Sequence, residues 1–219
     1  KVLFKKLSIL LCLTLLGSII FHFLKPSSIF ALICGSLSIS ILVSVCLELF
    51  NKLRINNHNK FNIVKRISLL PKSFFGMIIA HLGLGIFLAG VTGEQFFKED
   101  FERKLRINDT FNLGEYRILF SKVDEFNGPN YISKSAEFNI FQNNLFIKNI
   151  RSEKRFYPVE KNQTTEAGIF NSLLGDIYIV FGDGDNKTGW TIRAYLNPLV
   201  SWIWYGVSLM ALGGFISIL

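Results

Sequence analysis

Residues 74–92 read FFGMIIAHLGLGIFLAGVT, an apolar run about as long as a bilayer is thick, and the one ionisable side chain in it is His81. A helix rises about 1.5 Å per residue, so roughly 20 apolar residues cross about 30 Å of hydrocarbon. Three further runs approach or exceed that length, at 8–24, 28–50 and 198–219. The first carries His22 near its end, and the only charge in the second is Glu48 at its far end. Four transmembrane helices are therefore expected, at about 8–24, 28–50, 74–93 and 197–219. With 50% hydrophobic residues, the chain is too apolar for a soluble domain of 219 residues.

A formal net charge of +8 invites a nucleic-acid reading, but its distribution excludes one. Residues 94–196 hold 14 basic and 15 acidic side chains, whereas the rest holds 10 basic and one acidic. Six of those ten bases (Lys52, Arg54, Lys60, Lys65, Arg66, Lys72) crowd the loop before residue 74, and Lys1, Lys5 and Lys6 precede the first run. An excess of Lys and Arg in short loops marks the cytoplasmic (or matrix) side. The expected layout is a transmembrane hairpin over 1–50, a basic cytoplasmic loop over 51–73 and the His81 helix over 74–93. A periplasmic domain over 94–196 and a final helix over 197–219 complete it.

The basic start KVLFKK and the apolar run after it have the form of a signal peptide, yet Lys25-Pro26 and a second apolar run follow in place of a small-residue cleavage site. A multi-span protein is the better reading. The absence of an initiating Met, and an end on an apolar helix, lead to the expectation of a piece of a longer chain. Cys12, Cys34 and Cys46 all fall in expected helices, so no disulfide framework or CxxC motif can be built.

The helix over 74–93 has a readable geometry. Gly76, Ala80, Gly83 and Gly90 form one stripe of small residues, which lets another helix approach closely. His81 projects from a different face, shared with Met77, Gly85 and Leu88. Gly85, one turn away, leaves clearance for a planar group such as a porphyrin lying along the helix, as an axial His requires. The alternative is a neutral His81 hydrogen-bonded within the bundle. His22 is most simply an interfacial residue and His58, in a polar loop, a surface one.

From residue 94 the composition changes. The stretch 94–109, charged and amphipathic, reads as an interfacial linker or short helix. β-like runs follow at 116–123, 136–142, 145–150, 176–181 and 189–195, separated by turn-rich breaks. Asn143-Asn144 between two alternating runs is a two-residue hairpin candidate. Five or six short strands imply a small antiparallel β barrel or sandwich, inserted between the third and fourth helices. TTEAGIFNSLL at 164–174 reads as a short helix. The Asp183-Gly184-Asp185-Asn186 segment imitates a calcium loop, but Thr188 stands where Gly is required and Ala194 where a bidentate Glu is required, so a turn is expected. Sequons at Asn108, Asn162 and Asn186 are chance matches in an Asn-rich chain. No nucleophile–base pair, phosphate loop or Cys/His metal cluster is present in the sequence.

Three motifs occur in order: Gly76-Met77-x-x-Ala80-His81-x-Gly83; Glu153-Lys154-Arg155-x-Tyr157 followed by Thr164-Thr165-Glu166-Ala167-x-Ile169; and Pro198-x-x-x-Trp202-Ile203-Trp204 leading to Leu209-Met210-Ala211-Leu212-Gly213-Gly214. Together they resemble the carboxy-terminal part of the CcmF family, the haem-lyase subunits of cytochrome c maturation. The resemblance covers residues 74–219 and, less distinctly, the two helices before them.

It implies that His81 is one axial ligand of a permanent b-type haem in the membrane. The second axial ligand is not in this chain, nor is the tryptophan-rich segment that receives haem at the outer surface. Trp202-Ile203-Trp204 is not that segment. The implied work is haem transfer from a periplasmic haem chaperone to apocytochrome c held by its thiol-presenting subunit. It takes place in the bacterial inner membrane (or the mitochondrial one), with the remainder of the same protein and the lipid bilayer as further partners. The rival is a non-haem membrane-anchored assembly or transport subunit in which His81 is structural. A pump or channel would require companion intramembrane acids.

Overall fold

The computed structural model describes residues 8, 12, 14–19, 23, 29–53 and 70–218. These divide into a helical unit and a β unit, Phe97–Pro198.

Among the described residues three helices are long and apolar enough to cross a membrane: α1 (Ile29–Leu53), α2 (Lys72–Phe97) and α3 (Val200–Ile218). Residues 14–19 are helical as well. The rest of the expected first span lies largely outside the described residues. So do His22, the turn at 25–27, and the part of the basic loop that holds His58. The small-residue stripe of α2 is where α3 packs. A methyl group on Gly76 would come 2.5 Å from the Ser217 amide nitrogen, one on Gly83 2.7 Å from the Gly206 carbonyl, and one on Gly90 2.8 Å from the Ile203 amide nitrogen. As the α2 position rises the α3 position falls, so the helices are antiparallel with backbones in contact. Gly76, Gly83 and Gly90 recur every seventh residue, as do Gly206 and Gly213, which keeps the seam facing its partner.

The opposite neighbour of α2 is α1. Val45 of α1 packs with Phe74 and Ile78 of α2. Ser38 Oγ donates to the Gly85 carbonyl across the interface at 2.8 Å. Ser36, Ser40 and Ser44 donate to carbonyls one turn back, so each hydroxyl is satisfied in a setting without water.

The β unit is a sandwich of two antiparallel sheets, ordered β1-β9-β8-β7 and β2-β3-β4-β5-β6. The strands are β1 Glu99–Leu105, β2 Thr110–Leu113, β3 Tyr116–Asn127, β4 Ile132–Gln142, β5 Leu145–Tyr157, β6 Asn162–Glu166, β7 Gly168–Asn171, β8 Gly175–Asp185 and β9 Gly189–Pro198. The core fills the space between the sheets. Ile118, Phe120, Phe138 and Ile140 come from one, and Ile177, Ile179, Phe181 and Ile192 from the other, all at 0% exposure. On β8 they fall at every second residue, the alternation of a half-buried strand.

Two expectations are corrected. Residues 99–105, read as part of a linker or short helix, are strand β1, because each residue pairs with β9 from Glu99↔Leu196 to Leu105↔Trp190. Residues 164–174, read as a short helix, form the end of β6 and all of β7. Thr164 and Thr165 pair with β5, and Gly168–Asn171 with β8. The helical pattern at 164–174 was weak, and pairing with β5 and β8 stabilises so short a segment more than three turns of helix would. Strand count rises to nine among the described residues because β1, β2, β6 and β7 are short or charged edge strands without a strong alternating pattern.

The register fixes the two ends of the sandwich. Both chain ends leave from one of them, where Glu99 pairs with Leu196 and Gly175 with Pro198. The β2–β3 turn is at this end, its Gly114 N–H donating to Glu99 Oε2 at 2.8 Å. So is the β4–β5 hairpin, since Gln142 pairs with Tyr116 beside that turn. The opposite end carries the β3–β4, β5–β6 and β8–β9 turns.

Candidate functional site

His81 lies in the middle of α2 and is exposed. Its Nδ1 is 2.8 Å from the Met77 carbonyl one turn back. A carbonyl can only accept, so Nδ1 carries a proton in this contact, and in the Nδ1–H tautomer of the neutral ring Nε2 is left as the ligand or acceptor atom. A second-atom hydrogen bond of this kind is what orients a ligating imidazole. Beside the ring, a groove of about 250 Å³ opens between α1 and α2, lined by Ser44, Val45, Glu48, Met77, Ile78 and His81. The periodicity of α2 placed Met77 and His81 on one face but gave no hint of Ser44 and Glu48 opposite them. Their contribution depends on how α1 packs. The one available signal was that Glu48 is the single acid outside residues 94–196.

Gly85 does not supply the open clearance expected of it. A methyl group there would come 2.6 Å from Leu42 Cδ2 and 3.5 Å from Ile41 Cγ2, so the missing side chain is filled by α1. Gly85 is a helix-packing residue whose carbonyl also takes the Ser38 bond. Space beside His81 lies toward Met77 and Glu48 instead. The residues present fit a haem ligand: one imidazole oriented by the Met77 carbonyl, on an apolar helix, beside an open groove. Among the described residues no group of three or more His, Cys, Asp or Glu side chains gathers to hold a metal ion.

The second motif occupies the sandwich end opposite the chain termini. Glu153 pairs with Glu166, Lys154 with Thr165 and Arg155 with Thr164. Arg155 Nε donates to Glu153 Oε2 at 2.9 Å, and its guanidinium stacks 4.7 Å from the centre of the Tyr131 ring. Tyr131 in turn meets Tyr157 at 5.6 Å. The Glu153 hydrogen bond raises the Arg155 pKa above its ordinary value, so the cation is held charged. The motif is a clamp joining the β3–β4 turn to β5 and β6. The Asp185 turn is also structural: its carboxylate accepts from the Lys187 and Thr188 amides at 2.8 and 2.6 Å, and the Thr188 amide bond lowers its pKa.

An antiparallel β-sandwich joined in sequence to apolar helices defines a membrane protein with an extramembrane β domain. Residues 96–198 match the family described as the CcmF C-terminal beta-sandwich. The chain is 38% identical over 153 residues to the cytochrome c-type biogenesis protein ccl1 of Rhodobacter capsulatus, which covers 70% of this chain and 23% of that protein. It is 30% identical over 193 residues to CcmF of Haemophilus influenzae, 88% of this chain and 29% of the relative. With CcmF of Escherichia coli it shares 29% over 201 residues, 92% of this chain and 30% of the relative. A solved structure of "Cytochrome c Heme Lyase CcmF" has the same fold over 97% of this chain and 34% of its own, with a TM-score of 0.69 at 17% identity. The chain belongs to the CcmF family and corresponds to its C-terminal part. It spans 23% to 30% of the length of these curated relatives.

Proposed function

We propose that this chain is the C-terminal portion of a haem-handling membrane subunit in cytochrome c biogenesis, and that His81 is one axial ligand of a b-type haem. The observation that carries the reading is the His81 ring itself, held by the Met77 carbonyl through Nδ1 with Nε2 left as the donor beside a groove. An imidazole kept only for packing has no need of an adjoining cavity. The family supplies the chemistry: its curated members are named for cytochrome c-type biogenesis, and the solved relative is titled a haem lyase. Bound haem would supply an electron-accepting iron. This chain's own part is to present one imidazole nitrogen at membrane depth, beside the groove between α1 and α2. The opposing ligand comes from the remainder of the protein. In the same reading the β unit faces the periplasm, where a haem chaperone and apocytochrome c with its thiol-presenting subunit are met. Transfer to apocytochrome thiols is then work of the whole protein.

The test is spectroscopic. In the full-length parent protein, His81→Ala should abolish or shift the reduced b-type absorption, and imidazole added to His81→Gly should restore part of it. A spectrum unchanged in His81→Ala protein of normal abundance sinks the ligand assignment and favours a non-haem assembly subunit.

A further inference from the structure

We infer that the end of the β-sandwich from which both chain termini leave is seated in the head-group layer of the bilayer, with two apolar loop tips as its anchors. The inference is independent of the haem reading. It rests on what the register gathers at that end. The β7–β8 tip is Ser172-Leu173-Leu174-Gly175, with Leu173 67% and Leu174 70% exposed. The β4–β5 hairpin turns at Asn143-Asn144 and then presents Leu145 at 69% and Phe146 at 58% exposure. Turn tips in water carry Gly, Asn, Asp, Pro and Ser, and four large apolar side chains on two tips of one end form a surface that water disfavours.

The Leu-Leu tip is built to hold its apex outward. Ser172 Oγ donates to the Gly175 carbonyl at 2.7 Å, and the Gly175 amide donates back to Ser172 Oγ at 3.2 Å. The Ser172 amide also donates to the Gly175 carbonyl at 3.0 Å. With its backbone so tied, the tip cannot fold its leucines onto the core. The Asn143-Asn144 turn has positive φ at both residues (50° and 63°), the tight form whose twist matches the strands and fixes where Leu145 and Phe146 begin.

The occupant follows from the chain path. One residue, Lys98, separates α2 from β1, and one, Leu199, separates β9 from α3. Two helices able to cross a membrane are therefore joined to strands of this end by one residue each, and the layer at such helix ends is the head-group region. The side chains around the junction suit that layer. Lys98 Nζ lies 5.7 Å from the Tyr195 ring centre, and Tyr195 contacts Tyr178 at 6.4 Å between centres. Tyr residues with a snorkelling Lys are the usual furniture of the membrane–water boundary. The opposite end exposes Phe126, Ile132, Phe156 and Val159 as well, but amid ionic and polar pairs such as Lys134–Glu125 at 2.7 Å and the Arg155 clamp, and among the described residues no helix able to cross a membrane is joined to it.

The experiment is site-directed spin labelling of the full-length protein in lipid nanodiscs, with native cysteines replaced. Labels go on Leu174→Cys and Phe146→Cys at the proposed interface, and on Val159→Cys at the opposite end, where Val159 is 86% exposed. All three are surface positions, so labelling spares the core. The expected result is oxygen accessibility several-fold above that of a water-soluble nickel chelate at 174 and 146, with the order reversed at 159. Nickel access at 174 and 146 equal to that at 159 would place both tips in water and overturn the inference. Low access to both relaxers would mean that another part of the protein covers them, and would overturn it equally.

Discussion

At the scale of single residues the clearest structural dependence is on Ser152. Its side chain is fully buried, donating to the Glu166 carbonyl at 2.9 Å and accepting from the Phe181 amide at 3.0 Å. Phe181 belongs to the other sheet, so one hydroxyl ties the two layers. Ser152→Ala leaves the buried Phe181 amide without its acceptor and the part-buried Glu166 carbonyl without its donor, at a cost of about 1–3 kcal/mol. Hydrogen–deuterium exchange should show faster exchange at the Phe181 amide, and unchanged protection there would refute this role. His81 was legible in the sequence as an anomaly, one ionisable group in an apolar run. That its Nδ1 is spent on Met77 was not, because a rotamer is chosen by local packing and leaves no trace in spacing.

At the scale of elements, α2 has two jobs on two faces. Gly76, Gly83 and Gly90 let α3 approach to backbone contact, while Gly85 and the groove residues face α1. The first face was readable from spacing alone, because seven-residue recurrence of glycine has few other uses in a helix. The second was misjudged at Gly85, where a gap in sequence is filled in space by Leu42. Gly83→Leu should force α2 and α3 apart, since even a methyl group would stand 2.7 Å from the Gly206 carbonyl. Gly214→Leu is the control, with nothing within 4 Å of a methyl group there. Compared by detergent-solubilised melting, the Gly83 variant should lose stability and the Gly214 variant should not; equal losses would argue against the seam. The Asn143-Asn144 hairpin was legible for the same reason as the seam: two-residue turns have narrow chemical requirements.

At the scale of the whole molecule, the proposed topology rests on charge asymmetry, with the near-neutral 94–196 region expected across the membrane from the basic loop before residue 74. A membrane-impermeant maleimide should label Val159→Cys in cells with only the outer membrane opened, and Lys60→Cys only after the inner membrane is breached. Labelling in the reverse order would invert the topology. The chain covers under a third of these curated relatives, and the proposed function draws its second haem ligand from the remaining length.

What the sequence by itself determined is what short-range chemistry and hydrophobicity can determine. Apolar runs form helices long enough to cross a membrane, glycines at heptad spacing pack against a neighbour, and Asn-Asn turns a hairpin. Only the tertiary structure decided that 99–105 and 164–171 are strands, because edge strands are stabilised by the partner they pair with rather than by their own pattern. It alone brought Glu48 and Ser44 opposite His81, closed Gly85 with Leu42, and gathered Leu145, Phe146, Leu173 and Leu174 at one end of the sandwich. Each of those neighbourhoods joins residues tens of positions apart, and proximity of that kind is a property of packing and register, which no local window contains.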